Sequence, residues 1–124
     1  MPVDKRFKKG LELFNEEEFF ECHEVIEELW LETSESDSNR NLYKGVIQAA
    51  SAMVQFDRGI LSGAYSLWQT AVQYLEKYRP EALGLNVEKL IQEMNACFSD
   101  FKDWDGKRKI FRKEDLTPKL EYNS

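Results

Sequence analysis

From residue 3 to residue 101 the apolar positions recur every three or four residues rather than every second one, the period of helices with one buried face. Polar and chain-breaking residues cut the pattern into five stretches. A short first helix over 3–14 runs up to Asn15. Asn15 with Glu18 three positions later makes a capping-box-like start for a second helix reaching residue 33, and Glu16, Glu17 and Glu18 suit its positive end. The polar run 34–39 is a loop. A third helix covers 40–58 and stops near Gly59, Ser62 caps a fourth over 63–78 that must end before Pro80, and Asn86 caps a fifth through 101. Nothing before the last two dozen residues reads as a strand.

Sliding the chain by 42 residues aligns Gly10 with Ala52, Phe19 with Leu61, Cys22 with Ala64, Ile26 with Trp68 and Leu29 with Ala71. In the second copy Ala52, Gly59, Ala64, Trp68 and Ala71 follow the small, glycine, small, large, small order of a tetratricopeptide hairpin, in which small residues let paired helices approach closely. The expected fold is all-α: a compact bundle of about five helices, two tetratricopeptide-like hairpins plus a closing helix, with a C-terminal extension. Residues 1–101 form the helical domain and 102–124 a charged extension docked on it.

Composition narrows the partners. Sixteen aromatics among 124 residues supply a core without staples. Cys22 and Cys97 fall inside apolar helical patterns and form no CxxC pair, so they read as buried free thiols of a reducing compartment, the cytoplasm. No signal-peptide order is present, and the longest charge-free run, 45–56, is too short to span a membrane. A net charge of −6 argues against nucleic acid. Eleven acids and no Lys or Arg lie between Gly10 and Asn39, whereas the tail from Lys102 carries Lys107, Arg108, Lys109, Arg112 and Lys113. Such a tail suits its own acidic domain or a second copy of the chain.

The segment Cys22-His23-Glu24-Val25-Ile26-Glu27-Glu28-Leu29-Trp30 holds the sole histidine, one turn from Glu27. Phe19, Cys22, Val25, Ile26, Leu29 and Trp30 share an apolar arc, and Glu17, Glu21, Glu24, Glu28 and Glu32 form a solvated stripe opposite. His23 and Glu27 lie between Trp30 and Phe20. With Phe20 buried, Glu27 is drawn inward and needs a donor: His23 first, then Tyr43, Gln48 or Arg58 of the next helix. The bland reading is a polar network fixing the register of two helices; the sharper one is a small-ligand or metal pocket, and the third is a surface pair with no special role.

This His-Glu-x-x-Glu-x-x-Trp helix, followed by Tyr43-Lys44-Gly45-Val46-Ile47-Gln48-Ala49-Ala50 and Arg58-Gly59, resembles a bacterial and archaeal family known as domain of unknown function 309, over roughly residues 7–101. The resemblance implies no established activity. In that family a histidine often precedes the Arg-Gly pair, where this chain has Gln55, and an Asn often follows it, where this chain has Ile60.

Other chemistry is weakly signalled. A zincin helix needs a second histidine where Glu27 stands, and carboxylate-bridged metal bundles repeat a Glu-x-x-His spacing, so no metal and no cofactor are expected. Cys22 and His23 point about 100° apart on a helix and cannot act as a nucleophile–base pair. Gly59 and Gly63 lack the lysine of a phosphate loop. The leading expectation is a cytoplasmic helical binding or scaffold module for a protein or peptide, with self-association open to it and neither nucleic acid nor membrane as partner. The alternative is an enzyme or small-ligand binder whose polar cluster is His23, Glu24, Glu27, Trp30, Tyr43, Gln48 and Arg58.

Overall fold

A computed structural model describes residues 3–123. Five α-helices follow in order: α1 (Lys5–Asn15), α2 (Phe19–Leu31), α3 (Arg40–Asp57), α4 (Leu61–Glu76) and α5 (Val87–Cys97). The all-helical bundle expected from the apolar period is the fold observed, and no helix among the described residues is long and apolar enough to cross a membrane.

Consecutive helices pack on one another, α1 on α2, α2 on α3 and α3 on α4, so that α3 lies in the middle. Its sequence fits the place: Leu42, Tyr43, Val46, Ile47, Ala49, Ala50, Ala52, Met53 and Phe56 are all buried, which needs apolar residues on almost every side. Close approach is set by glycines. A Cβ at Gly45 would lie 2.8 Å from Leu75 Cδ2 of α4, and one at Gly10 would run into Ile26 of α2. The small residues Ala64 and Ala71 of α4 are also fully buried.

Asn86 caps α5 as expected, its Oδ1 accepting the Lys89 amide at 2.9 Å. Two other caps fall elsewhere. Asn15 ends α1 instead of starting α2, which begins after Glu18, and Glu17 turns the chain at φ 61°. The Asn15 side chain is occupied otherwise: Nδ2 donates to the Leu120 carbonyl at 2.9 Å and Oδ1 accepts the Leu120 amide at 2.7 Å. Ser62 is an exposed residue inside α4, whose first residue is Leu61. A hairpin also precedes the tail, where no strand was expected. β1 (Glu81–Ala82) pairs antiparallel with β2 (Leu85–Asn86) through Leu83 and Gly84, both at positive φ. That two-residue turn usually announces itself by Asn-Gly or Asp-Gly; a leucine at φ 49° conceals it.

The final segment runs back over the body. Tyr122 bridges Leu85, the Asn86 amide donates to the Glu121 carbonyl at 2.9 Å, and the Asn123 amide to the Gly84 carbonyl at 3.0 Å. Ile110 and Leu120 belong to the same apolar core as α1–α5, and Trp104 packs edge-on to Phe101 with ring centroids 5.3 Å apart. Arg112 reaches Asp57 Oδ1 at 2.5 Å and Glu17 Oε1 at 3.4 Å, tying the tail to the ends of α3 and α1.

Candidate functional site

The faces of α2 follow from its sequence. Phe19, Cys22, Ile26 and Leu29 point into the bundle, while Glu21, Glu24 and Glu28 are exposed. Arg6 of α1 pairs with Glu28 at 3.5 Å and also with Glu32, so α1 flanks α2 on the acidic side. On the other flank is α3. Trp30 meets the start of α3 and Phe20 its end: the Lys44 Nζ lies 4.3 Å, and the Arg40 guanidinium 4.4 Å, from the Trp30 ring centroid, and the Arg58 guanidinium 5.8 Å from that of Phe20. The two helices are therefore antiparallel. Lys44, Gln48, Ser51 and Gln55 of α3, one turn apart, run between those two contacts.

His23 Nε2 lies 2.6 Å from Glu27 Oε2, the contact their spacing allows. The burial expected of Glu27 is not found: its side chain is 42% exposed and that of His23 27%. The reason is Phe20, which is 44% exposed rather than buried, so the apolar arc stops short of Glu27 and no desolvation penalty demands a partner. The His23 imidazole packs against Phe20 with ring centroids 5.8 Å apart.

The seven residues proposed as one cluster divide into three places. His23, Glu27 and Glu24 share the outer side of α2, with Arg58 at one end beside Phe20. Trp30 forms a second place with Lys44, and Arg40, which sequence reasoning left out, covers its ring as well; Gln48 is half-buried one turn beyond Lys44. The Trp30 indole nitrogen is buried without a hydrogen-bond partner. Tyr43 stands apart. It is buried against Phe7 of α1, with ring centroids 5.4 Å apart, and burial pushes its phenol above the ordinary value. It lines a separate polar cleft with Arg6, Leu29, Glu32 and Asp37.

A further exposed apolar side chain extends the picture. Leu31, 68% exposed, follows Phe20, Glu24 and Glu27 on one stripe of α2, spaced 20, 24, 27, 31. At the opposite end of that stripe, Phe20 adjoins an open cleft of about 560 Å³ lined by Arg58, Gly59, Leu61, Lys109, Ile110 and Phe111. Carboxylates crowd there too: Glu21 beside Glu18 raises the Glu18 carboxyl above the ordinary range, with Glu16 adding to it. The sequence signal for the exposed stripe was the Glu24–Glu27 interruption between Phe20 and Leu31, which a buried stripe would not contain.

Both cysteines are free and buried, and burial pushes the Cys22 thiol up to about 12 and the Cys97 thiol up to about 11. Neither is a poised thiolate. Among the described residues no group of three or more His, Cys, Asp and Glu side chains converges in a way that could hold a metal ion.

Fold and motif together define a small helical bundle with an open, charged α2–α3 face. Residues 7–67, from α1 into α4, match the family described as Domain of unknown function (DUF309), and the resemblance carried by the His23–Trp30 helix holds. The uncharacterized protein YpuF of Bacillus subtilis (strain 168) is 31% identical over 87 residues, covering 68% of this chain and 49% of that protein. The chain thus spans about half the length of this curated relative. Neither name states an activity.

Proposed function

We propose that the chain is a cytoplasmic helical binding module whose outer α2–α3 face receives a protein or peptide. The observation that supports this reading is the stripe Phe20, Glu24, Glu27, Leu31: two exposed apolar side chains, 44% and 68% open, frame two carboxylates. From Phe20 to Leu31 the helix rises by eleven steps, about 16 Å, three turns of a partner helix laid alongside. Large apolar side chains held in water at both ends of a charged stripe favour association, because covering them removes apolar area from solvent. The complement is an amphipathic segment with apolar residues three turns apart and Lys or Arg between them, which would pair with Glu24, Glu27 and Glu28. His23 belongs to the same face, beside Glu27, and Trp30 with its cations Arg40 and Lys44 borders it. Gln48 and Arg58 extend it along α3. The two buried thiols fit a reducing compartment.

An enzyme or small-ligand site around His23 and Glu27 would call for an enclosed pocket where these side chains converge with Gln48 or Arg58. A pair 27% and 42% exposed on an outer helix face supports association instead. The test is affinity capture from the source cells by the wild-type chain and by Leu31→Asp, followed by titration of the captured protein against both purified forms. Direct binding by the wild type that weakens about tenfold or more in Leu31→Asp, the loss expected for a contact centred on few residues, supports the reading. Equal binding by the two forms, or a small molecule that saturates the chain and is lost in His23→Ala, overturns it.

A further inference from the structure

We propose that the cleft between the start of α1 and the loop joining α2 to α3 binds a small primary amine, its ammonium group held between the Tyr43 hydroxyl and the Asp37 carboxylate. The cleft measures about 910 Å³, and neither Phe20 nor Leu31 of the outer stripe lines it. Tyr43 is its informative residue. The ring is only 7% exposed and packs on Phe7, yet the hydroxyl makes no hydrogen bond to any described residue, although a buried phenol ordinarily finds a partner for its O–H. That hydroxyl is not sealed in, since the Trp30 indole nitrogen is the one fully buried side-chain polar atom without a partner among the described residues. It opens on the cleft: the charges that act on it, those of Asp37, Asp4 and Arg6, all belong to residues of the lining.

The sign of the field selects the ligand group. Asp4 caps α1, its Oδ1 accepting the Arg6 amide at 2.8 Å, and the Arg6 side chain is taken up by that same oxygen at 3.2 Å and by Glu32. Asp37 is not neutralised in this way. Its Oδ1 accepts the Asn39 amide at 2.8 Å, which fixes the loop, and no cation among the described residues pairs with it. Burial pushes the Tyr43 phenol above its ordinary value, Asp37 and then Asp4 push it further, and Arg6 offsets only part. Lys5 also lines the cleft but is not among the charges that reach the phenol. A carboxylate or phosphate beside the hydroxyl would therefore meet like charge, whereas an ammonium donates to the phenol oxygen and to Asp37 together. Val3, Leu29 and Leu83 complete the lining and offer the carbon body of the amine an apolar wall.

Titration of the full chain with pentylamine, followed by NMR at the Leu29 and Leu83 methyls and the Tyr43 ring, tests the site; pentanol and pentanoate serve as probes of the same length and different charge. The expected result is saturable shifts at these residues with pentylamine, binding of pentanol weaker by about tenfold or more, and none of pentanoate. Tyr43→Phe keeps the ring on Phe7 and removes only the hydroxyl, and Asp37→Asn keeps an oxygen for the Asn39 amide and removes only the charge. Each should raise the dissociation constant of pentylamine about tenfold, whereas Leu31→Asp and His23→Ala, both outside the cleft, leave it unchanged. Shifts that do not saturate, pentanol or pentanoate binding as tightly as pentylamine, or a constant indifferent to Tyr43→Phe and Asp37→Asn overturn the proposal.

Discussion

The helices α2 and α3 pack against each other yet are built on opposite plans. α3 buries ten of its eighteen residues, and between Lys44 and Asp57 it carries no charge. α2 buries four of thirteen, and its remaining positions hold four glutamates, the histidine and two of the exposed apolar side chains. One helix is surrounded, by α2 and α4 on its two sides; the other is a wall with an inner and an outer face. The lesson is that side chains which look alike in sequence, a histidine and a glutamate beside aromatics, acquire different meanings according to the helix that bears them. On α3 such a pair would be a buried network. On α2 it lies at the surface.

Breaking α3 has the largest expected effect. Met53 is fully buried there, and Met53→Ala is expected to cost about 2–5 kcal/mol in denaturant unfolding, from lost burial and the cavity left behind. Gly45→Ala is expected to cost about 1–3 kcal/mol despite alanine's better helix propensity, because its Cβ would stand 2.8 Å from Leu75 and both helices would have to shift.

The inner side of α2 carries a pH signature. Burial holds the Cys22 thiol protonated up to about 12, against an ordinary value of 9.0. The folded-state value is raised, so the associated stability is fully present below pH 9.0 and is lost as pH rises toward 12, where the unfolded thiol ionises and the folded one does not. Unfolding midpoints followed across that window should fall more steeply in the wild type than in Cys22→Ala. An equal slope would contradict the burial of this thiol.

On the outer side of α2 the expected effects are small. Glu27→Ala should change stability by less than about 1 kcal/mol, since a half-exposed pair in water contributes little. A measured loss of several kcal/mol would restore the buried network and remove the contrast between the helices. By comparison Asn15→Ala, at a position of intermediate burial, should cost about 1–3 kcal/mol, because both backbone groups of Leu120 lose their partner.

The helix count and the placing of α3 and α5 were legible in the apolar period, and Asn86 as the α5 cap was legible from its side chain. What escaped notice has local physical causes. Asn15 has the right chemistry for a cap, but its amide serves Leu120, 105 residues on, a partner no local window contains. Leu83 adopts the left-handed conformation that sequence rules reserve for Asn or Gly, so the hairpin was invisible. The pairing of His23 with Glu27 followed from a four-residue spacing alone. Their exposure did not, because it depends on Phe20 facing outward, and the sign of that lies not at Phe20 itself but in the Glu24–Glu27 interruption of the stripe it shares with Leu31. Arg40 over Trp30 required knowing that α2 and α3 run antiparallel with a short loop between them.

The central claim is that the outer face of α2 serves association and not folding. The most direct measurement is to follow Leu31→Asp in two readouts at once: its melting temperature and its affinity for the protein captured by the wild-type chain. The account predicts a melting temperature unchanged within error and an affinity reduced about tenfold or more, since Leu31 is 68% exposed and has little packing to lose. An unaltered affinity, or a fall in melting temperature comparable to that of Met53→Ala, would contradict it.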